Sequence, residues 1–222
     1  MFGDEIDTTE KTKSQGKEKI LIDSSFLNKI GLMGDVNEEN ANEIVFSLLL
    51  QNEKLSSDYI ETILNLTDEE VNSLSDAEFA ELKPNIEFYI STNGGSANEM
   101  FAIYDVINKI KSDKITSIST IGIGKVMSAG VLLLASGSKG RRKIGRNCRV
   151  MIHSVIAGTS GPMHQLENEF EEVRSIQESY IKALAAETSM SEKKIKKLLK
   201  KKTNIYLSAE EAIELGIADE IL

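Results

Sequence analysis

The stretch Thr120-Ile-Gly-Ile-Gly-Lys-Val-Met-Ser-Ala-Gly-Val-Leu-Leu-Leu-Ala-Ser-Gly137 constrains this chain more than any other. A β-branched run ends in glycines. Ser128 then stands at the mouth of a helix of small residues and leucines that closes at Gly137. A serine at such a strand-to-helix corner presents its hydroxyl at a helix N-terminus. There the unpaired backbone N–H groups and the positive end of the dipole favour a developing oxyanion. The same residues also suit a plain packing corner of an α/β domain. The pattern is not the G-x-S-x-G elbow, because Val126 occupies the place of its first glycine.

Length and charge bound the alternatives. The 222 residues fit one large domain, or a domain with an elaboration. No apolar run approaches the ~20 residues that span a bilayer. The polar, acidic N-terminus lacks the apolar core of a signal peptide. The lone Cys148 excludes an internal disulfide and fits a reducing compartment, so a cytoplasmic location is expected. A formal charge of −9 argues against a nucleic-acid binder. One basic run, Lys193 to Lys202, opposes that trend. Its Ile195, Leu198 and Leu199 recur at helical spacing, as on a solvated amphipathic helix.

Taken in order, residues 1–17 read as a mobile, polar N-terminal segment. Lys19–Ile22 and Lys29–Met33 read as strands. Asn37 is a helix cap before Ile44, Val45, Leu48 and Leu49. Residues 52–84 turn acidic and helix-favouring. Two capping boxes, Thr67 with Glu70 and Ser75 with Glu78, predict two or three short helices in an insertion too small for its own core. Ile86–Ile90 is a strand running into Gly94 and Gly95. Ser96 with Glu99 predicts a further capping box, opening a helix to about Lys111. Ile115–Ile121 is the strand before Ser128, and Arg149–His153 is a strand ending in histidine. A long helix is predicted over Met163–Glu187, with Leu166, Phe170, Val173, Ile176 and Tyr180 or Ile181 on one face. Ile205–Leu207 is a strand, and Ser208 with Glu211 opens the last helix, which stops at Gly216. Repeated β-turn-α units predict an α/β layered fold with a largely parallel sheet, whose Gly-rich corners lie at the carboxyl ends of the strands.

Three features converge: a glycine turn able to donate N–H groups, Ser128 at a helix mouth and His153 at a strand end. A nucleophilic serine needs a base to take its proton and N–H donors for the tetrahedral oxyanion. Ser128 and His153 are 25 residues apart, about one strand–helix–strand step.

In four stretches the chain resembles the ClpP peptidases, the proteolytic subunits of ATP-dependent Clp proteases. They are Glu87–Ser96 with Ile103–Asp105, the Ser128 segment through Arg142, Arg149–His153, and Leu207–Ala212 with Gly216–Asp219. The resemblance covers about Lys29 to Leu222 apart from the insertion. It implies a ClpP/crotonase-like fold with a protruding handle helix, in a peptidase domain spanning residues 18–222 with the insertion at about 52–84. It implies Ser128 as nucleophile, His153 as general base, and backbone N–H groups of Gly95 and Ala129 as the oxyanion hole. It also implies heptameric rings paired into a tetradecamer, with the active sites inside. Substrates would be peptides or unfolded protein chains delivered by a Clp-type AAA+ unfoldase. No cofactor is expected, ATP being used only by the partner ATPase, and neither nucleic acid nor membrane is an expected partner. The chain departs from the pattern where the triad acid is expected: that position, four residues before Ser208, is Asn204. Asn93 replaces a turn proline, and Val155 stands where a proline usually follows the histidine.

The alternatives are a weakly active or non-catalytic ring subunit, a crotonase-type acyl-CoA enzyme and a Ser–Lys peptidase using Lys125.

Overall fold

The computed structural model describes residues 28–200 and 204–222. The expectations for residues 1–17 and Lys19–Ile22 lie outside these. Strand β1 (Lys29–Met33) alternates strictly, burying Ile30 and Leu32. The Asn37 side chain accepts the Asn40 N–H and caps α1 (Glu38–Leu64), whose first turn holds Glu38 and Glu39 where the dipole favours them. This helix does not end where the sequence turns acidic. It runs on for 27 residues, because residues 52–64 contain neither glycine nor proline and the change in polarity falls on its surface. The insertion is therefore the outer part of α1 followed by two short helices, α2 (Asp68–Ser73) and α3 (Asp76–Leu82). Both open with the expected capping boxes.

Strand β2 (Asn85–Thr92) puts Ile86, Phe88 and Ile90 on one fully buried face. Helix α4 (Ala97–Ser112) buries Met100, Ile103, Ile107 and Ile110 in the same core. The capping box expected at Ser96 and Glu99 is absent: the Ser96 side chain caps nothing. The Ser96 N–H, the group a Glu99 carboxylate would have taken, instead donates to the Val36 carbonyl at 2.8 Å.

Strand β3 (Ser117–Met127) is longer than the sequence suggested. It passes through its glycines rather than ending at them. Ile90 pairs with Gly122 and Thr92 with Val126, so β3 carries a bulge of two extra residues between those pairs. Gly124 takes φ 64° inside it, the conformation that requires glycine there. The bulge redirects the strand. Its first half pairs with β4 (Arg142–Ile144), which the sequence reading missed, and its last three residues pair with β5 (Arg149–Ile152). Between β3 and β4 the chain forms α5 (Ala129–Ala135), buried all round, as its unbroken small and leucine residues require.

Helix α6 (Met163–Glu187) has the predicted bounds. Only its C-terminal part packs, through Tyr180, Ile181 and Leu184, while Phe170 of the expected stripe is 65% exposed. Helix α7 (Glu192–Leu199) is amphipathic, with Ile195 and Leu199 buried. Strand β6 (Ile205–Leu207), helix α8 (Ala209–Glu214) with its Ser208 capping box, and strand β7 (Glu220–Ile221) complete the chain.

The sheet runs β1-β2-β3-β4-β7, all parallel, with β5 parallel to the far end of β3 and β6 antiparallel on β5. Helices α1, α4 and α5 share one apolar core with it, giving the expected α/β layered fold. Arg142, 4% exposed, ties the far edge together. It donates to the Asp219 carboxylate from Nε at 2.9 Å, and to the carbonyls of Ala135, Glu187 and Gly216. Burial works against ionisation of Asp219, but bonds from Arg142 and Gly140 outweigh it and hold its carboxyl below the ordinary value.

Candidate active site

Ser128 ends the β3–β5 pairing: its N–H donates to the Met151 carbonyl at 2.8 Å. The chain turns into α5 at the next residue, which forces Ser128 to φ 55° and ψ −119°. Positive φ is costly for a residue with a Cβ, on the order of 1–3 kcal/mol, and persists only where the surroundings over-determine it. Here they do, with β5 on one side and the buried α5 on the other. The corner thus has the strained geometry of a nucleophile elbow without its first glycine.

Strand β5 delivers His153 to this corner. His153 Nε2 lies 2.7 Å from Ser128 Oγ, hydrogen-bond distance for proton transfer. Lys125 does not line the cleft that holds this pair. It sits within the β3–β5 ladder opposite Arg149, so the serine's partner is the histidine.

Asn204 immediately precedes β6. In the β5–β6 register Val150 faces Leu207, Met151 faces Tyr206 and Ile152 faces Ile205. One step further along places Asn204 across from His153, where directly opposed side chains of an antiparallel pair stand on the same face. Asn204 is exposed, and no hydrogen bond joins it to His153. The ladder itself ends at Ile152 and Ile205, so the two residues follow from extending its register and are joined by no bond.

The third wall is the loop after β2. The Gly94 N–H donates to Thr92 Oγ1 at 2.9 Å. The Val36 N–H donates to the Gly94 carbonyl, and the Val36 carbonyl accepts from Ser96. These bonds clamp the loop and leave the Gly95 N–H out. Gly94 has φ 100°, and a Cβ there would stand 2.5 Å from Ser128 Cβ. A Cβ on Gly95 would run into the Val36 carbonyl. Both glycines are needed for the loop to come this close to the serine. Ala129 is the first residue of α5, and an N–H in a first helical turn has no intrahelical partner. Gly95, Ala129, Ser128 and His153 all line one cleft of about 340 Å³.

Sequence reasoning missed several residues around this cleft. Tyr180 of α6 lines it, and its hydroxyl lies 3.5 Å from the Ser128 carbonyl. Burial pushes its phenol far above the ordinary value, so it stays neutral. Gln177 Oε1 accepts the Val155 N–H at 3.3 Å, tethering the segment after His153 to α6. Both lie on the apolar side of α6, but α6 offered no sign of which element it would meet. Asn93 and Val155 also line the cleft. Cys148 is buried and its thiol is pushed up to about 11, so it is no competing nucleophile.

No described helix is long and apolar enough to cross a membrane. The family model for Clp protease matches residues 64–222, well over half of the chain. That span contains Ser128, His153, Asn204, Gly95 and Ala129, and with it this chain belongs to the Clp protease family, the ClpP-type serine peptidases.

Proposed function

We propose that the protein hydrolyses peptide bonds with Ser128 as nucleophile, His153 as general base and Asn204 as the residue that orients the imidazole. The 2.7 Å approach of His153 Nε2 to Ser128 Oγ carries this reading. With the imidazole proton on Nδ1, Nε2 accepts the hydroxyl proton as Oγ attacks the scissile carbonyl. The carbonyl oxygen becomes an oxyanion facing the N–H groups of Gly95 and Ala129. The imidazolium then protonates the leaving amine, the C–N bond breaks and an acyl-serine remains. Water, deprotonated by the same histidine, releases the acid. The neutral Asn204 can hold the tautomer through its side-chain oxygen, but it cannot offset the imidazolium charge. The setting we propose is a barrel of paired heptameric rings, fed with peptides or unfolded chains by a Clp-type AAA+ ATPase; membership of the Clp protease family supports it.

A fluorophosphonate probe tests the chemistry. The wild type is expected to label, and the Ser128→Ala variant is not. Equal labelling of the two proteins, or none in an assembled barrel, rejects the proposal.

The absence of a His153–Asn204 bond favours a second reading, in which the subunit is weakly active or serves as a non-catalytic ring member. In a serine protease the same Asp-to-Asn exchange lowers turnover about 10⁴-fold. Asn204→Asp is expected to raise peptidase kcat at least tenfold from a measurable baseline. No baseline in the wild type, together with no gain in the variant, favours the non-catalytic reading.

A further inference from the structure

A second concave site lies at the opposite end of the sheet from Ser128. It is lined by Ser117 at the start of β3 with Thr116 before it, the turn before β4 (Ser138, Lys139, Arg141), Lys111 of α4 with Lys114 just beyond that helix, and Lys83 just after α3, around about 370 Å³. The eleven residues of β3 separate it from Ser128, on the order of 30 Å at about 3.3 Å per residue. Its lining includes Lys83, Lys111, Lys114, Lys139 and Arg141 and no carboxylate, in a chain whose net charge is −9. Such a concentration of one sign in a hollow focuses its field on a counter-ion.

Only part of this charge is neutralised within the chain. Lys111 and Lys139 share a single carboxylate, Glu187, at 3.2 and 3.1 Å. Lys83, Lys114 and Arg141 form no ion pair with a described acidic residue. The buried Arg142 stands directly behind, its own charge matched by Asp219. The crowding is felt: burial, then the neighbouring Arg142 charge, holds the Lys139 amine below the ordinary lysine value, with Lys111 adding to the effect. Lys114 sits at φ 58°, and the only other described non-glycine residue at positive φ is Ser128. The Lys83 ammonium donates to the Lys114 carbonyl at 3.2 Å, so the insertion closes one wall of the hollow.

We propose that this hollow binds a compact, multiply charged phosphoryl anion of the size of a di- or triphosphate. Lysines act on phosphate as separate point charges, and four lysines spread around a pocket suit several phosphoryl oxygens better than one planar carboxylate. The Ser138 hydroxyl, whose oxygen accepts the Ile118 N–H at 3.0 Å, keeps its own proton as a neutral donor. Ligand binding would join the insertion to the sheet, because Lys83 belongs to one and Ser138 to Arg141 to the other. The proposal does not depend on the peptidase chemistry.

Calorimetry on the full chain tests it, with inorganic pyrophosphate and tripolyphosphate as probes. One saturable site per chain is expected, weakening steeply as sodium chloride rises from 50 to about 200 mM, as charge-driven binding does. The triple variant Lys83→Gln/Lys114→Gln/Arg141→Gln should bind at least tenfold more weakly. A control on the basic α7, Lys193→Gln/Lys197→Gln, should bind as the wild type does. The three substituted side chains are exposed, and circular dichroism checks the fold. If the triple variant does not fold, each single variant should still weaken binding about threefold. ADP as a third probe separates the sources: affinity equal to pyrophosphate assigns recognition to phosphates alone, and tighter binding assigns a nucleotide. Absence of saturable binding at millimolar probe, or unchanged affinity in the variants, overturns the proposal. So does dissociation of an assembly by the probe in sedimentation, because the hollow would then be filled by an acidic surface of a second copy.

Discussion

At the scale of single residues, the site depends on atoms that are missing. Gly94 lacks the Cβ that would stand 2.5 Å from the Cβ of Ser128. An alanine there must move the loop or the serine by a fraction of an ångström to an ångström. Displacements of that order at a reacting centre lower rates about 100-fold. Gly94→Ala is therefore expected to slow fluorophosphonate labelling about 100-fold. Its melting temperature should fall only by the amount that a strained backbone of about 1–3 kcal/mol implies. Labelling at the wild-type rate would show that the loop does not set the serine's geometry. The serine and the histidine were legible because each ends or follows a strongly patterned strand. Asn204 was legible only through the family resemblance. Its place opposite His153 follows from an antiparallel register, and no local sequence pattern encodes which strands pair. Tyr180 and Gln177 were hidden for the same reason, since helical periodicity shows which face is apolar but not what it meets.

Local punctuation matched the structure where no distant group competed for it, and failed where one did or where the backbone could absorb it. The boxes at Thr67, Ser75 and Ser208 formed because nothing else claimed their backbone donors. The one at Ser96 failed because Val36, 60 positions earlier, had claimed the N–H. Helix α1 outran its expected end because a change from apolar to acidic residues does not stop a helix, whereas glycine or proline does. Strand β3 outran its glycines because a bulge can absorb them. The insertion helices follow the opposite logic. Helix α2 buries no residue, so its cap supplies much of what holds it. Thr67→Ala removes about 1 kcal/mol of capping. Hydrogen exchange is expected to show residues 68–73 losing protection by roughly fivefold while the amides of β2 and α5 stay unchanged. Equal loss across the chain would mean that the insertion and the core unfold as one unit.

At the scale of the whole molecule, the most connected polar group among the described residues is Arg142, which links β4, α5, α6 and the turn before β7. Removing Asp219 leaves its guanidinium buried and unpaired, so Asp219→Asn is expected to cost about 3–5 kcal/mol at neutral pH. The pH dependence has a fixed sign. The carboxyl is held below its ordinary value in the folded chain, so its contribution is fully present above about pH 4. It is lost as pH falls below that value through the depressed one. The melting temperatures of wild type and Asp219→Asn should therefore converge as pH falls below about 4. A constant gap between them would rule out Asp219 ionisation as the source. The two-residue bulge in β3 has a different consequence at this scale. Beyond it, β5 and β6, with His153 following one and Asn204 preceding the other, pair with the main sheet only through Lys125 to Met127 against Arg149 to Met151, while Val150, Ile152 and Leu207 pack into the shared core. Unzipping those three pairs would part His153 from Ser128 while β1, β2, β3, β4 and β7 stayed paired. The distance between Ser128 and His153 is thus set by a short ladder and by the apolar packing behind it.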